Sequence, residues 1–487
     1  MAKSAFNHLV KNSLIYGVGQ ALSRFIGFLL LPVFTAYLSP ADYGILAILG
    51  IMNLVATALF SLGFGAATGL CYFEGSHPHR KAQTIWTSLF ILAACVLALG
   101  AMAILFPQSI SGMLFKTPAH ARLVTLSLLS AGTVILNLQF LLYLMFEKRA
   151  LLYVAISLVI TILTLGMSVL AVVVLGRGVA GMVESILIAN SIGLAMLAVP
   201  AVRGLPFCLS GTVARDLLRF GVPLIPSSFF LFVLQQGNQY LLERFRGLGE
   251  VGIYVIGFNF GLVMNLLATA FSSAWYPHFM SYMDRPSEAR DILSRVVTFY
   301  ILGAGMISLL FYAAARPVVL VMTQPPFHEA YRMIGPAATA FSLGGLFMVL
   351  LPPLYYTQDV KYLSAIQGAA AALAVIFNLV LIPTLGMVGA AAALVLGNLS
   401  LVVIQLAWYR ARRRTYVQIA YEWRRILPFG ALYVLFCSLT LWPRQLTLSH
   451  EMVFSGFLAF SLVFMGYRFL TDGEKRFITS ILRRYTV

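Results

Sequence analysis

Apolar and polar residues alternate along this chain in long blocks. Runs of about 20 mostly apolar residues recur, parted by short clusters of charge, Pro and Gly, and a helix of that length crosses the ~30 Å hydrocarbon core of a bilayer. The pattern predicts spans over residues 14–38, 45–72, 84–106, 122–146, 152–175, 180–202, 217–242, 253–277, 295–315, 331–355, 362–383, 387–409, 426–442 and 452–470. The expected fold class is therefore an all-α integral membrane protein of about fourteen transmembrane helices. The first run is too long for the ~7–15-residue core of a signal peptide, and no small-residue cleavage pattern follows, so it reads as a permanent span.

Composition agrees. Of 487 residues, 60% are hydrophobic and 10% charged, with a mean hydropathy of +0.91. Average soluble domains are about 45–50% apolar and about 25% charged. No polar stretch is left over for a soluble domain. Cys71, Cys95, Cys208 and Cys437 lie inside apolar runs without metal or disulfide spacing and read as packing residues. No cofactor and no metal site is expected. His77 and His79 read as part of a solvated loop, and Gly63 and Gly65 as helix-packing positions.

The net charge of +17 changes meaning once its positions are read. With the N-terminus inside, twenty-four Lys and Arg fall on the cytoplasmic side and eight on the other; Arg24, inside the first span, completes the 33. A three-to-one bias is a positive-inside signal and predicts both termini in the cytoplasm. Loops beside anionic head groups explain the basic balance without nucleic acid, and the cluster Arg412, Arg413 and Arg414 reads as a topology anchor. No G-x-x-x-x-G-K-[ST] loop is present, which argues against ATP hydrolysis by this chain.

Shifting the chain by 208 residues superposes Gly44-Ile45 on Gly252-Ile253, Pro78 on Pro286, Pro118 on Pro326 and His120 on His328. It also pairs Gly178 with Gly386, Gly181 with Gly389 and Asn190 with Asn398. Matched Pro, Gly, His and Asn at one offset predict two six-helix bundles related by an internal repeat, at 1–208 and 209–416. Two additional helices and a cytoplasmic tail follow at 417–487. Six spans per copy give both copies one orientation. Parallel repeats of this kind place a substrate pathway, a central cavity, between the halves and work by alternating access.

Residues 23–48, "SRFIGFLLLPVFTAYLSPADYGILAI", resemble the opening of bacterial polysaccharide flippases, of the multidrug/oligosaccharidyl-lipid/polysaccharide (MOP) exporter superfamily. The stretch around "NLVLIPTLGMVGAAAALVLGNL" resembles that family's eleventh and twelfth spans. The resemblance implies a flippase, not an enzyme, that moves undecaprenyl-diphosphate-linked oligosaccharide units from the cytoplasmic to the outer leaflet. It implies a place in the bacterial plasma (inner) membrane, for O-antigen, capsule or exopolysaccharide biosynthesis. The partners it implies are the lipid-linked oligosaccharide and membrane lipids, with a polysaccharide polymerase as a further candidate.

Arg24 is the most informative single residue. A charge at mid-bilayer costs ~2.5–3.5 kcal/mol on insertion scales and faces the bundle interior or water. Positions three, four and seven away share its face: Gly17, Gln20, Ala21, Gly27, Phe28 and Leu31, while Leu22, Phe25 and Leu29 lie opposite. Glu184 is the one acid placed inside a predicted span and a possible charge partner. The substrate's diphosphate is another, since guanidinium grips phosphate through a planar two-pronged fork, and backbone carbonyls are a third. The seventh span adds Ser228, Gln235, Asn238 and Gln239, amides and a hydroxyl that suit sugar hydroxyls or, alternatively, hydrogen bonds between helices. A shift near 204 sets Arg24 on Ser228, which predicts a cavity cationic on one half and amide-rich on the other. Pro223 and Pro226 are the candidate hinge, each lacking a backbone donor.

Two other functions compete. A multidrug/cation antiporter of the same superfamily wants a buried carboxylate where span one carries Arg24. A membrane polysaccharide polymerase or ligase wants a sizeable outer loop with acids, His or Arg, and the outer connections near 107–121 and 316–330 are short and sparse.

Overall fold

Backbone groups inside hydrocarbon can be satisfied only within the chain, so each apolar run becomes helix. The computed structural model describes residues 19, 22, 26–74, 78–282, 289–357, 359, 362–412, 421–441, 450, 452–457 and 460, and every regular element among them is helical. In chain order these include α1 (Leu31–Tyr37), α2 (Pro40–Phe60), α3 (Phe64–Phe73), α4 (Pro78–Leu105), α5 (Pro107–Phe115), α6 (Ala121–Phe146), α7 (Ala150–Val169), α8 (Gly178–Gly204) and α9 (Gly211–Gly221). There follow α10 (Ile225–Arg246), α11 (Leu248–Met280), α12 (Ala289–Met322), α13 (Tyr331–Val349), α14 (Pro352–Tyr356), α15 (Leu363–Leu385), α16 (Met387–Ala411) and α17 (Trp423–Leu441).

Ten segments of the described residues are long and apolar enough to cross a membrane, and they match the expected spans two to six and eight to twelve. The seventh is a bent path, Gly211–Leu224 followed by Ser228–Arg246 at 43°. The thirteenth corresponds to α17, a helix that is not among the ten. Much of the first and most of the last lie outside the described residues. The chain divides into two compact units, Met1–Phe232 and Val233–Val487.

In the first unit α6 is the hub, packed by α2, α4 and α8, with α7 against α8 and, less extensively, α6. Lipid tails are as apolar as Leu, so helices associate in a bilayer by close packing and interhelical hydrogen bonds. Both occur here. A Cβ on Gly193 of α8 would lie 2.4 Å from Ile160 of α7. Buried Gln139 of α6 donates through Nε2 to Thr68 (3.1 Å) and Ser88 (2.6 Å). Asn137 donates to the Asn190 carbonyl at 3.0 Å. The expected span 45–72 is broken: Leu62 (φ 52°) and Gly63 (φ 67°) are left-handed and separate α2 from α3. A Cβ on Gly63 would sit 2.3 Å from the Gly221 carbonyl oxygen at the end of α9, and one on Gly221 would sit 2.3 Å from the Leu62 oxygen. Two backbones touch there. Gly65, by contrast, has nothing within 4 Å of an added Cβ, so it is no packing contact.

The second unit has α13 as its hub, packed by α11, α12 and α16, with α15 against α16. Gly257 and Gly261 of α11 form a G-x-x-x-G face whose added Cβ atoms would lie 2.3 Å from the Ala330 oxygen and the Ala337 Cβ. The α15–α16 turn is clamped from both sides. Arg246 donates to the Pro383 and Thr384 carbonyls at 2.8 and 3.2 Å, and the Met387 N–H donates to Glu250 at 2.9 Å. The cation sits at the C-terminus of α15 and the anion at the N-terminus of α16, as the helix dipoles favour. Outside the hub, α17 docks on α12 through Phe429 against Gly305, and the Tyr433 hydroxyl lies within hydrogen-bond reach of Ser308 and Thr339.

Pro353 accounts for one of two further carbonyls that are bonded by side chains of other helices. It has no N–H for the Val349 carbonyl at the end of α13. Trp275 Nε1 of α11 supplies a donor to that carbonyl at 3.3 Å, and Tyr409 of α16 supplies one to the Leu350 carbonyl at 2.7 Å. Trp275→Phe is expected to orphan the Val349 carbonyl and cost about 1 kcal/mol or more. The check is a lowered thermal unfolding midpoint in detergent; an unchanged midpoint contradicts this role.

Candidate functional site

The residues expected to form the site fall in different environments. Arg24 and Gln20 lie outside the described residues. Ser228, in the first turns of α10, is exposed and donates to the Leu224 carbonyl at 3.3 Å. Gln235 is half-buried. Asn238 and Gln239 are buried, 2% and 4% exposed. Asn238 Nδ2 donates to the Tyr254 hydroxyl of α11, and Gln239 donates to Gln236 on its own helix. Asn238 therefore makes a helix-to-helix bond in this conformation, while its Oδ1 is buried without a hydrogen-bond partner among the described residues. Pro223 sits in a 3-10 turn, Val222–Leu224, and Pro226 in the first turn of α10, where the path bends.

Glu184 does meet guanidinium groups, one at the start of its own helix and one from α6. Arg177 approaches its carboxylate to 2.7 Å and Arg122, at the start of α6, to 2.9 Å. Glu184 lies in the second turn of α8, close to the positive end of the helix dipole. With two cations and one anion, this cluster carries one net positive charge.

One polar feature was missed. Asn265, Thr269, Ser272, Ser273 and Tyr276 recur along α11, and Thr269, Ser273 and Tyr276 are exposed. Their spacing was the available signal: four, then three or four, then three or four, a single helical stripe within an otherwise apolar span. Each of the three hydroxyl side chains before Tyr276 donates to the carbonyl four residues earlier, at 2.7 to 2.9 Å.

Two mainly apolar pockets lie among the described residues, one in each unit. A cavity of about 290 Å³ in the first unit is lined by Phe64, Leu92, Ile135 and Gln139, whose amide is already committed to Thr68 and Ser88. One of about 330 Å³ in the second is walled by Phe260, Val263, Ile307, Phe311 and neighbouring aliphatic residues. Neither suits a sugar chain. Among the described residues, no three His, Cys, Asp or Glu side chains form a group that could hold a metal ion.

Hub-centred helical units and a succession of long apolar helices, some broken or bent, define an all-helical multi-pass membrane protein. Structural comparison bears this out. The lipid II flippase MurJ, in an inward closed conformation, superposes with a TM-score of 0.74 at 12% identity, covering 93% of this chain and 99% of that one. An inward-facing multidrug resistance MATE family transporter of the MOP superfamily gives 0.56 at 18%, covering 78% and 92%. The MATE transporter VcmN of Vibrio cholerae, in its bent form, gives 0.52 at 17%, covering 85% and 98%. At these identities the likeness is one of fold. No curated protein matches the sequence. Residues 9–283, more than half of the chain, match the polysaccharide biosynthesis protein family, and the chain belongs to that family.

Proposed function

We propose that this protein is a flippase. It carries undecaprenyl-diphosphate-linked oligosaccharide from the cytoplasmic to the outer leaflet of the bacterial plasma membrane by alternating access, with both termini cytoplasmic. The observation that carries this reading is membership of the polysaccharide biosynthesis family. The fold shared with a lipid II flippase supports it, since that protein moves a lipid-linked substrate. The related folds are those of transporters and flippases, which favours transport over catalysis.

The two-copy organisation, 1–208 and 209–416 with an extension at 417–487, belongs to the same proposal. What supports it is the matched neighbour order: α2, α4, α6, α7 and α8 pack as α11, α12, α13, α15 and α16 do. Gly178 and Gly386 both take positive φ. Asn190 and Asn398 both donate to the carbonyl four residues back, at 2.8 and 2.9 Å.

Arg24 is the proposed phosphate ligand, and the amides and hydroxyls of α10 are proposed sugar contacts. A diphosphate carries about two negative charges, so leaving an inside-negative cell at 100 mV releases ~4–5 kcal/mol. The membrane potential can thus favour export without a coupled ion.

Ligand class separates this reading from drug/cation antiport. Purified protein in nanodiscs is expected to retain undecaprenyl diphosphate in native mass spectrometry, and excess ethidium is expected not to displace it. Saturable ethidium binding with no lipid retained would turn the assignment to a cation antiporter.

A further inference from the structure

The polar stripe of α11 lies apart from the residues assigned above. Asn265, Thr269, Ser273 and Tyr276 follow one another at intervals of four, four and three and so share one side of the helix. At 1.5 Å per residue the stripe runs about 16 Å, longer than one hexose ring. Hydrocarbon offers polar groups no partner, and exposed polar side chains within spans characteristically face water or a substrate path.

Hydrogen bonding decides the kind of ligand. Thr269 donates its proton to the Asn265 carbonyl at 2.7 Å, and Ser273 donates to the Thr269 carbonyl at 2.8 Å. Both hydroxyls have spent their proton within the helix and turn lone pairs outward. They call for a ligand that donates. An ionised diphosphate has no proton to give; a sugar is covered in O–H groups. None of the four side chains is charged, so the stripe offers no ion-pair partner to either an anion or a cation.

The stripe ends on a braced aromatic ring. Tyr276 is 46% exposed. It meets buried Phe279 edge to face at 5.2 Å and 75°, and Tyr355 of α14 at 5.7 Å and 88°. Phe279 in turn lies 5.6 Å from Tyr355. Held from two sides, the ring can offer an electron-rich face to the polarised C–H groups of a pyranose.

We infer that Asn265, Thr269, Ser273 and Tyr276 form a carbohydrate track. Tyr276 stacks a hexose ring of the lipid-linked glycan, and Thr269 and Ser273 accept hydrogen bonds from its hydroxyls. The inference rests on the flippase reading and gives sugar and phosphate separate ligands. In the proposed orientation the Tyr276 end is cytoplasmic, where the glycan is loaded.

Two probes test it in nanodiscs: undecaprenyl diphosphate bearing one N-acetylhexosamine, and sugar-free undecaprenyl diphosphate. Wild type is expected to bind the sugar-bearing lipid about tenfold more tightly. Tyr276→Ala should cut that preference severalfold, Tyr276→Phe should keep it, and the near-isosteric Thr269→Val should also reduce it. Sugar-free binding should stay at the wild-type level in all three. A preference that survives both Tyr276→Ala and Thr269→Val undiminished, or Thr269→Val weakening both probes equally, overturns the track and leaves the flippase reading intact. Failure of wild type to bind either probe overturns both.

Discussion

Arg24→Gln is expected to slow transbilayer movement of the glycan lipid by at least about tenfold at matched protein levels. A hydrogen bond to a charged group contributes about 1.5–3 kcal/mol, and 1.4 kcal/mol is a factor of ten. Glutamine keeps a polar side chain of moderate length but loses the charge and the planar fork. Lysine would restore the charge without the fork, so Arg24→Lys should fall between the two. The side-chain pattern motivates the expectation: Arg24 shares its helix face with Gly17, Gln20, Ala21 and Gly27, while Leu22, Phe25 and Leu29 lie opposite. Glu184, the one acid predicted to lie in a span, is bonded to Arg122 and Arg177. Wild-type rates in both variants would remove Arg24 from the site and leave the family assignment untouched.

Gly63→Ala is expected to destabilise the first unit by more than about 2 kcal/mol. Two mechanisms add. A left-handed backbone costs an L-residue roughly 1–2 kcal/mol, and Gly63 has φ +67°. The new methyl would also meet the Gly221 carbonyl oxygen at 2.3 Å, and a backbone oxygen, unlike a flexible side-chain end, cannot rotate away. α3 and α9 would have to separate. Gly65→Ala, two residues on, is the internal control: its Cβ meets nothing within 4 Å, and a helical Gly→Ala change there should be neutral or stabilising by up to ~1 kcal/mol. Thermal midpoints of the two variants in detergent should therefore move in opposite directions or differ widely. Equal midpoints would contradict the close backbone crossing.

The helices were legible where hydropathy alone defines them. Residues 122–146 and 387–409 were expected, and Ala121–Phe146 and Met387–Ala411 are observed. Two helices run longer than expected, Leu248–Met280 against 253–277 and Ala289–Met322 against 295–315. Charged or turn-prone residues, such as Glu250, Arg290, Arg316 and Pro317, read as span boundaries in the sequence but are accommodated within the helices. The break at Leu62 and Gly63 was invisible because a left-handed pair inside an apolar run leaves the hydropathy unchanged.

Site residues were harder to read for a different reason. Periodicity shows which side chains share a helix face but not what that face meets. Asn238 lies on a helix, as the span pattern predicts, and its amide bonds to Tyr254 within the second unit. The partners of Glu184 come from positions 62 and 7 residues away, and only folding sets the more distant one beside it. The stripe from Asn265 to Tyr276 is in the sequence at helical spacing, but hydropathy does not distinguish an exposed hydroxyl from a packed one.

The measurement that bears most directly on the flippase proposal is transbilayer movement of undecaprenyl-diphosphate-linked oligosaccharide in proteoliposomes of the wild-type protein. The expected result is movement well above that in protein-free liposomes, accelerated when the membrane potential drives the diphosphate away from the negative side. Movement no faster than in protein-free liposomes, with that potential imposed, would contradict the flippase assignment.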